Sequence, residues 1–175
     1  MGYVEVQRMT RLSDYLIEQT GLVWPQLLAS WAWLLPADFT VWIVNTFGDL
    51  FIVLEDGSVH MLDVGRGTIE RLADGRDAFA TRLDQDDNAN NWLMIPLVDG
   101  LRAANLVPGT QECYSYIRLP ILGGEYSVAN TRVLPMATHY AALGPIHEKL
   151  KDVPDGHLVR FDIASPEADR RRTKL

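Results

Sequence analysis

The chain predicts an α+β fold: an antiparallel sheet, made of a central meander plus late strands, packed on one face by helices. Three observations carry this. The stretch from Thr40, TVWIVNTFGDLFIVLEDGSVHMLDVGRGTIERLA, is rich in β-branched and aromatic residues and is cut at regular intervals by Gly48-Asp49, Asp56-Gly57 and Gly65-Arg66-Gly67. On either side of it, apolar residues recur at helical spacing. The 175 residues, 47% hydrophobic and 22% charged, suffice for one substantial core and are short for two.

Taken in order, residues 11–20 (RLSDYLIEQT) predict a short helix, with Leu12, Tyr15, Leu16 and Gln19 on one face and Gly21 as a left-handed cap. A second helix opens at Pro25 and carries Leu27, Leu28, Trp31, Leu34 and Leu35 on a buried stripe until Pro36. Trp24, Trp31 and Trp33 at this spacing read as core rather than as a ligand cage. Strands follow near 41–46, 49–54, 58–63 and 68–72, with Asp56-Gly57 as a tight turn. Residues 75–85 (GRDAFATRLDQ) read as a helix with Phe79 and Leu83 four apart. Residues 86–106 read as another, capped by Asp86 or Asp87, striped by Trp92, Ile95, Val98 and Leu101, and kinked or broken at Pro96. Residues 111–122 (QECYSYIRLPIL) are strand-like, Gly123-Gly124 turn the chain, and residues 133–150 are helical with Gly144-Pro145 as an interruption. HLVRFDI at 157–163 is expected to close the sheet. Trp42, Phe51, Trp92 and Tyr116 are expected in the core. In domain terms, an N-terminal helical segment (1–36) folds against an α+β unit (37–163), and a basic tail (164–175) follows.

The formal net charge of −7 is unevenly spread: residues 38–99 hold twelve acidic side chains against four arginines, whereas the final RRRTKL is basic. An acidic middle argues against nucleic-acid binding, which draws on clustered Lys and Arg, and favours a basic partner. The short cationic tail reads as solvated. No apolar run is long enough to span a bilayer, the N-terminus lacks a secretory signal pattern, and the lone Cys113 makes no internal disulfide, so the expected compartment is the cytoplasm, with no membrane partner.

Candidate chemistry is sparse. DQDDNAN has the oxygen-rich look of a calcium loop but lacks the central glycine and terminal glutamate of an EF-hand. His60, His139, His147 and His157 show no metal spacing; only His139 and His147, eight apart, share a helical face, and all four read as surface or partly buried, hydrogen-bonded residues. Cys113 has Glu112 beside it, which raises a thiol pKa, and Ser58 and Ser115 lack a nucleophile elbow. Neither Gly123-Gly124 nor Gly65-Arg66-Gly67 forms a phosphate loop. No cofactor is implied.

Several strings occur together and in order: FGDLF, DGSVHMLDVG, DDNANNWLMIPLV, CYSYIRLPILGGEY and the PDG at 154–156. Over residues 33–159 the chain resembles the C-terminal domain of type VI secretion immunity proteins of the Tdi type. Larger relatives place a GAD-like domain in front, and the resemblance implies that this module is absent here or reduced to two helices. It further implies a protein that binds and neutralises a cognate secreted antibacterial toxin, a nuclease (DNase) effector, with no catalysis of its own. A nuclease holds a polyanion in a basic groove, so an inhibitor presenting carboxylates competes for that groove and associates quickly. The expected partner-binding residues are Asp84, Asp86 and Asp87, one loop between two helices, and the meander carboxylates Glu55, Asp56 and Asp63, with Asp49 among the same group. The same aspartates also serve as helix caps and turn residues. Two other readings stand beside this one: a non-catalytic regulatory or scaffold module using the acidic surface, and a small hydrolase built on Cys113 and a histidine. Monomer and weak dimer are equally compatible with the sequence.

Overall fold

The computed structural model describes residues 11–154 together with Gly156 and His157. Apart from His157, the strand expected at 157–163 lies outside the described residues, as does the basic tail at 164–175.

The meander forms where the turn signals place it. Strands β1 (Thr40–Val44), β2 (Leu50–Val53), β3 (Val59–Asp63) and β4 (Thr68–Ala73) pair antiparallel in the order β1-β2-β3-β4. Gly57 N–H donates to the Leu54 carbonyl (2.9 Å) and closes the Asp56-Gly57 turn. A bulge at Trp42 separates the Val41↔Ile52 and Ile43↔Phe51 pairs, and the displaced ring stands edge-on to Phe79 at 5.4 Å. On β2 Leu50, Phe51 and Ile52 are all fully buried although their side chains alternate in direction, so this strand is covered on both faces. The late strands β5 (Glu112–Tyr116) and β6 (Thr131–Pro135) pair with each other in a separate two-stranded sheet. Tyr114 N–H donates to the Thr46 carbonyl (2.8 Å) and ties it to the meander.

Among the described residues five helices pack around these strands: α1 (Trp24–Leu27), α2 (Arg76–Leu83), α3 (Asn88–Trp92), α4 (Ile95–Ala103) and α5 (Met136–Leu150). The break expected at Pro96 falls just before it, where Met94 takes a left-handed conformation (φ 55°) and Pro96 enters the first turn of α4. Phe79 of α2 lies against Phe51, Trp42 and Trp92, with ring centroids 5.3–5.4 Å apart. Phe51 and Tyr116 are buried as expected, while Trp42 and Trp92 are half-buried at the edge of this cluster.

Four expected elements differ, one of them the strand-like stretch 111–122, in which β5 ends at Tyr116 and Pro120–Leu122 form a 3-10 turn. Residues 11–20 are not a helix beyond one 3-10 turn (Leu12–Tyr15); Leu16 instead bridges Asn45, and Ile17 N–H donates to the Val44 carbonyl (2.9 Å). A ten-residue helix is marginal alone, and the open edge of β1 offers unpaired backbone groups that an extended segment satisfies. The expected 25–35 helix is cut to α1 and a 3-10 turn, Ala29–Trp31, because the buried Trp31 indole and the Ser30 hydroxyl both turn to the Tyr140 carbonyl (3.0 and 2.9 Å). Residues 133–135 end β6 rather than open a helix, and α5 runs unbroken through Gly144-Pro145. At Gly144 the helix is flush with the Ser30 backbone, where a Cβ would collide; Pro145 faces solvent and removes only one backbone donor.

All these pieces meet at residues 45–49, the β1–β2 connection. The fully buried Asn45 side chain accepts from the Phe47 and Asp49 N–H groups (2.9 and 3.0 Å) and donates to the Asp49 carboxylate (2.8 Å) and the Trp92 carbonyl (2.9 Å). Asp49 in turn accepts from Val64 N–H (2.8 Å), and the Tyr140 hydroxyl donates to the Gly48 carbonyl (2.7 Å). Gly48 itself has φ 81°, with the His139 ring 3.1 Å from where a Cβ would stand. Replacing Asn45 by Ala leaves two N–H groups, one carbonyl and a carboxylate oxygen without partners in the interior. Asn45→Ala is expected to destabilise the fold by on the order of 4 kcal/mol in urea unfolding; a loss under about 1 kcal/mol would show that water replaces the amide.

Candidate partner-binding face

The pleat of β3 and β4 builds the floor of the site. Met61 pairs with Glu70 and Asp63 with Thr68, so these four side chains share one face of the sheet. The corner between α3 and α4 and the chain at 126–128 stand around that face and enclose a cavity of about 790 Å³. Met61, Trp92 and Met94 contribute apolar wall, and Asp63, Arg66, Glu70 and Asn91 contribute polar wall.

Asp63 accepts from Arg66 N–H (2.8 Å) and is half-buried. Burial pushes its carboxyl above the usual range against the opposing pull of that hydrogen bond and of the Arg66 guanidinium. Behind it lies Asp49, whose carboxyl is pushed up to about 7, first by burial and then by the charge of Asp63. Its hydrogen bonds from Asn45 and Val64 pull the other way. Asp49 was expected among the presented carboxylates; instead it is buried, spent on the β1–β2 connection, and unavailable to a partner.

The other expected carboxylates fall into two groups. Asp84, Asp86 and Asp87 are exposed: Asp84 ends α2, Asp86 has φ 48° and Asp87 precedes α3. Asp87 occupies the cap position without capping the helix backbone and accepts from the Asn90 side chain (2.9 Å). Since Asn90 and Asn91 border the cavity, this loop adjoins it through α3. Glu55 and Asp56 are exposed on the β2–β3 turn, at the opposite end of the sheet from Asp63, and Asp56 accepts from the Ser58 N–H and hydroxyl. The structure thus joins Asp63 to the α3 side and sets Glu55 and Asp56 apart. Glu70, Asn91 and Tyr126, which the sequence reading did not single out, line the same cavity. The readable signal was the alternation of Met61 with Asp63 and of Thr68 with Glu70, which marks one sheet face.

His139 and His147 do share one face of α5, but both are buried. The ring of His147 bonds the Val64 carbonyl (2.9 Å). Neither ring nitrogen of His139 makes a well-formed hydrogen bond. Burial lowers both pKa values, that of His139 to about 4. Cys113 is fully buried, and burial together with the charges of Asp49 and Glu112 pushes its thiol far up, so it is poorly placed as a nucleophile. Among the described residues no three His, Cys, Asp or Glu side chains gather into a metal-holding cluster, and no helix is long and apolar enough to cross a membrane.

Residues 73–147 match the family model described as T6SS immunity protein Tdi1, C-terminal. This is the family read from the sequence strings, matched over the narrower span that runs from the end of β4 into α5. No curated protein matches the chain. The crystal structure of Atu4351 from Agrobacterium tumefaciens aligns with a TM-score of 0.42 and 12% identity, over 69% of this chain and 61% of that one.

The buried histidines make stability depend on acid. Unfolded, His139 takes a proton near pH 6.5; in the fold it does so only near 4. Its contribution is full above 6.5 and is lost as pH falls through that window, by about 3 kcal/mol. Asp49, whose pKa is raised, acts oppositely and loses its contribution as pH rises toward 7. The difference in unfolding free energy between the parent and His139→Gln cancels the Asp49 effect. That difference is expected to shift against the parent as pH falls from 6.5 to 4.5, and a pH-independent difference would contradict the assignment.

Proposed function

We propose that this chain is an immunity protein that binds and neutralises the cognate toxin of a type VI secretion system in the cytoplasm of the producing cell, the toxin being a nuclease with a basic surface. The observation that carries this reading is the match of residues 73–147 to the immunity-protein family. The charge pattern supports the basic partner: the net charge is −7, and Asp84, Asp86, Asp87, Glu55 and Asp56 all stand exposed. Exposed carboxylates of this kind act mainly on encounter, raising the association rate with a basic partner more than the lifetime of the complex.

The test is co-expression with the toxin domain encoded beside the gene, together with association kinetics of the purified pair. Co-expression should restore growth, and the two chains should purify together. The triple variant D84N/D86N/D87N should associate about tenfold more slowly at low salt, with the difference fading at high salt as the charges are screened over about 10 Å at 0.1 M. Unchanged association would remove the 84–87 loop from the interface. Absence of both rescue and binding for the parent would remove the immunity reading and leave the scaffold reading in its place.

A further inference from the structure

Four of the large apolar side chains that face solvent lie close together in sequence: Ile117, Ile121, Tyr126 and Val128, between β5 and β6. Their segment is tightly tied. The Asn130 side chain accepts from Arg118 N–H (2.9 Å) and donates to the Arg118 and Glu125 carbonyls (2.9 and 2.8 Å), while the Arg118 side chain donates to the Leu122 carbonyl (2.7 Å). Gly124 lies so close to the Arg118 carbonyl that a Cβ would collide there. A segment held this way presents apolar surface without an ordering cost on binding, which is how a recognition surface differs from a floppy loop. Tyr126 and Val128 also border the cavity over β3 and β4, so exposed apolar surface stands at its edge.

Inside the cavity the charges are unbalanced. Asp63 and Glu70 are diagonal neighbours across the β3–β4 ladder, roughly 7–8 Å apart at the backbone, a span that one cation between them bridges. Arg66 supplies a single positive charge against these two carboxylates, and among the described residues neither carboxylate is in an ion pair. The half-buried Asp63 is the group that gains most from a cation, since its ionised form is disfavoured by burial. Trp92, which stacks on Phe79 and is half-buried, also lines the cavity, and an indole beside paired carboxylates favours a guanidinium or ammonium group.

We propose that this cavity is the anchor pocket for an arginine or lysine side chain of the toxin, held between Asp63 and Glu70 beside Trp92, with Tyr126 and Val128 as its apolar rim. The assignment rests on the immunity reading for the identity of the partner and separates two roles: the exposed 84–87 loop governs encounter, and the pocket governs lifetime. A charge-bearing anchor enclosed by apolar surface is the usual composition of an interface hot spot, and removing a partner from such a pair acts on the dissociation rate.

The test uses D63N/E70Q in the full chain. The amide introduced by D63N keeps an acceptor oxygen for Arg66 N–H, and an unchanged melting temperature verifies the fold. With the toxin domain, this variant should dissociate about tenfold faster or more while associating nearly as the parent does, the reverse of the 84–87 variant. Dissociation at the parental rate overturns the pocket and leaves the immunity reading standing. A second arm needs no toxin: the parent is titrated with N-acetyl-arginine methylamide and followed by nitrogen-proton correlation NMR. The Trp92 indole and the Asn90 and Asn91 side-chain signals should move, with no such movement in D63N/E70Q or with the norleucine analogue. Movement elsewhere, or none, overturns the pocket. If the parent binds no toxin at all, the immunity reading falls, and the arginine titration alone decides the pocket.

Discussion

The buried amide of Asn45 is the interaction on which the other elements depend. Each of its polar atoms is used twice, and its partners belong to the β1–β2 connection, to Asp49 and to the end of α3. Around it, backbone groups of residues 44–48 receive the N-terminal segment through Val44 and Tyr15, β5 through Tyr114 and α5 through the Tyr140 hydroxyl. A short loop that would otherwise carry unpaired backbone into the interior becomes the place where the two sheets and the helices are joined. The arrangement leaves little freedom: an interior amide with one missing partner loses its desolvation energy without return.

The same contacts position the candidate face. Asn45 holds the Trp92 carbonyl, at the corner between α3 and α4, and Asp49 holds Val64 N–H, directly after Asp63. Opposite walls of the cavity are therefore suspended from neighbouring residues of one loop. Asp49 also acts electrostatically, since its charge adds to the burial that disfavours ionisation of the tyrosine hydroxyls nearby, Tyr116 and Tyr126 among them.

Helix α5 completes the packing from the other side. Tyr140, His139 and His147 all point toward the meander, His147 reaching the Val64 carbonyl and His139 lying over Gly48. The bonds of Tyr140 and His147 to the Gly48 and Val64 carbonyls specify the docking geometry of α5 more narrowly than apolar contacts would, because a hydrogen bond is directional. The two histidines also tie the stability of the fold to pH, since a protonated imidazole has no place in that interior.

How much of this was legible beforehand follows from the range of each interaction. The meander was readable strand by strand, because Asp56-Gly57 and the neighbouring glycine turns are local conformational demands and the β-branched runs between them report burial directly. The break before α4 was readable from Pro96 for the same reason. The N-terminal segment was not: its helical spacing was real, but the unpaired edge of β1, more than twenty residues away in sequence, outweighed a marginal helix. Gly144-Pro145 looked like an interruption because its cause, the Ser30 backbone against Gly144, lies over a hundred residues away. For the face, composition and the pleat determined that carboxylates are presented and that Asp63 shares a side with Met61. Only the tertiary structure decided that Asp49 is withdrawn into the interior, that Glu55 and Asp56 stand at the far end, and that Glu70, Trp92 and Tyr126 join Asp63, because a pattern along one chain records which way a side chain points and not which distant segment folds across it.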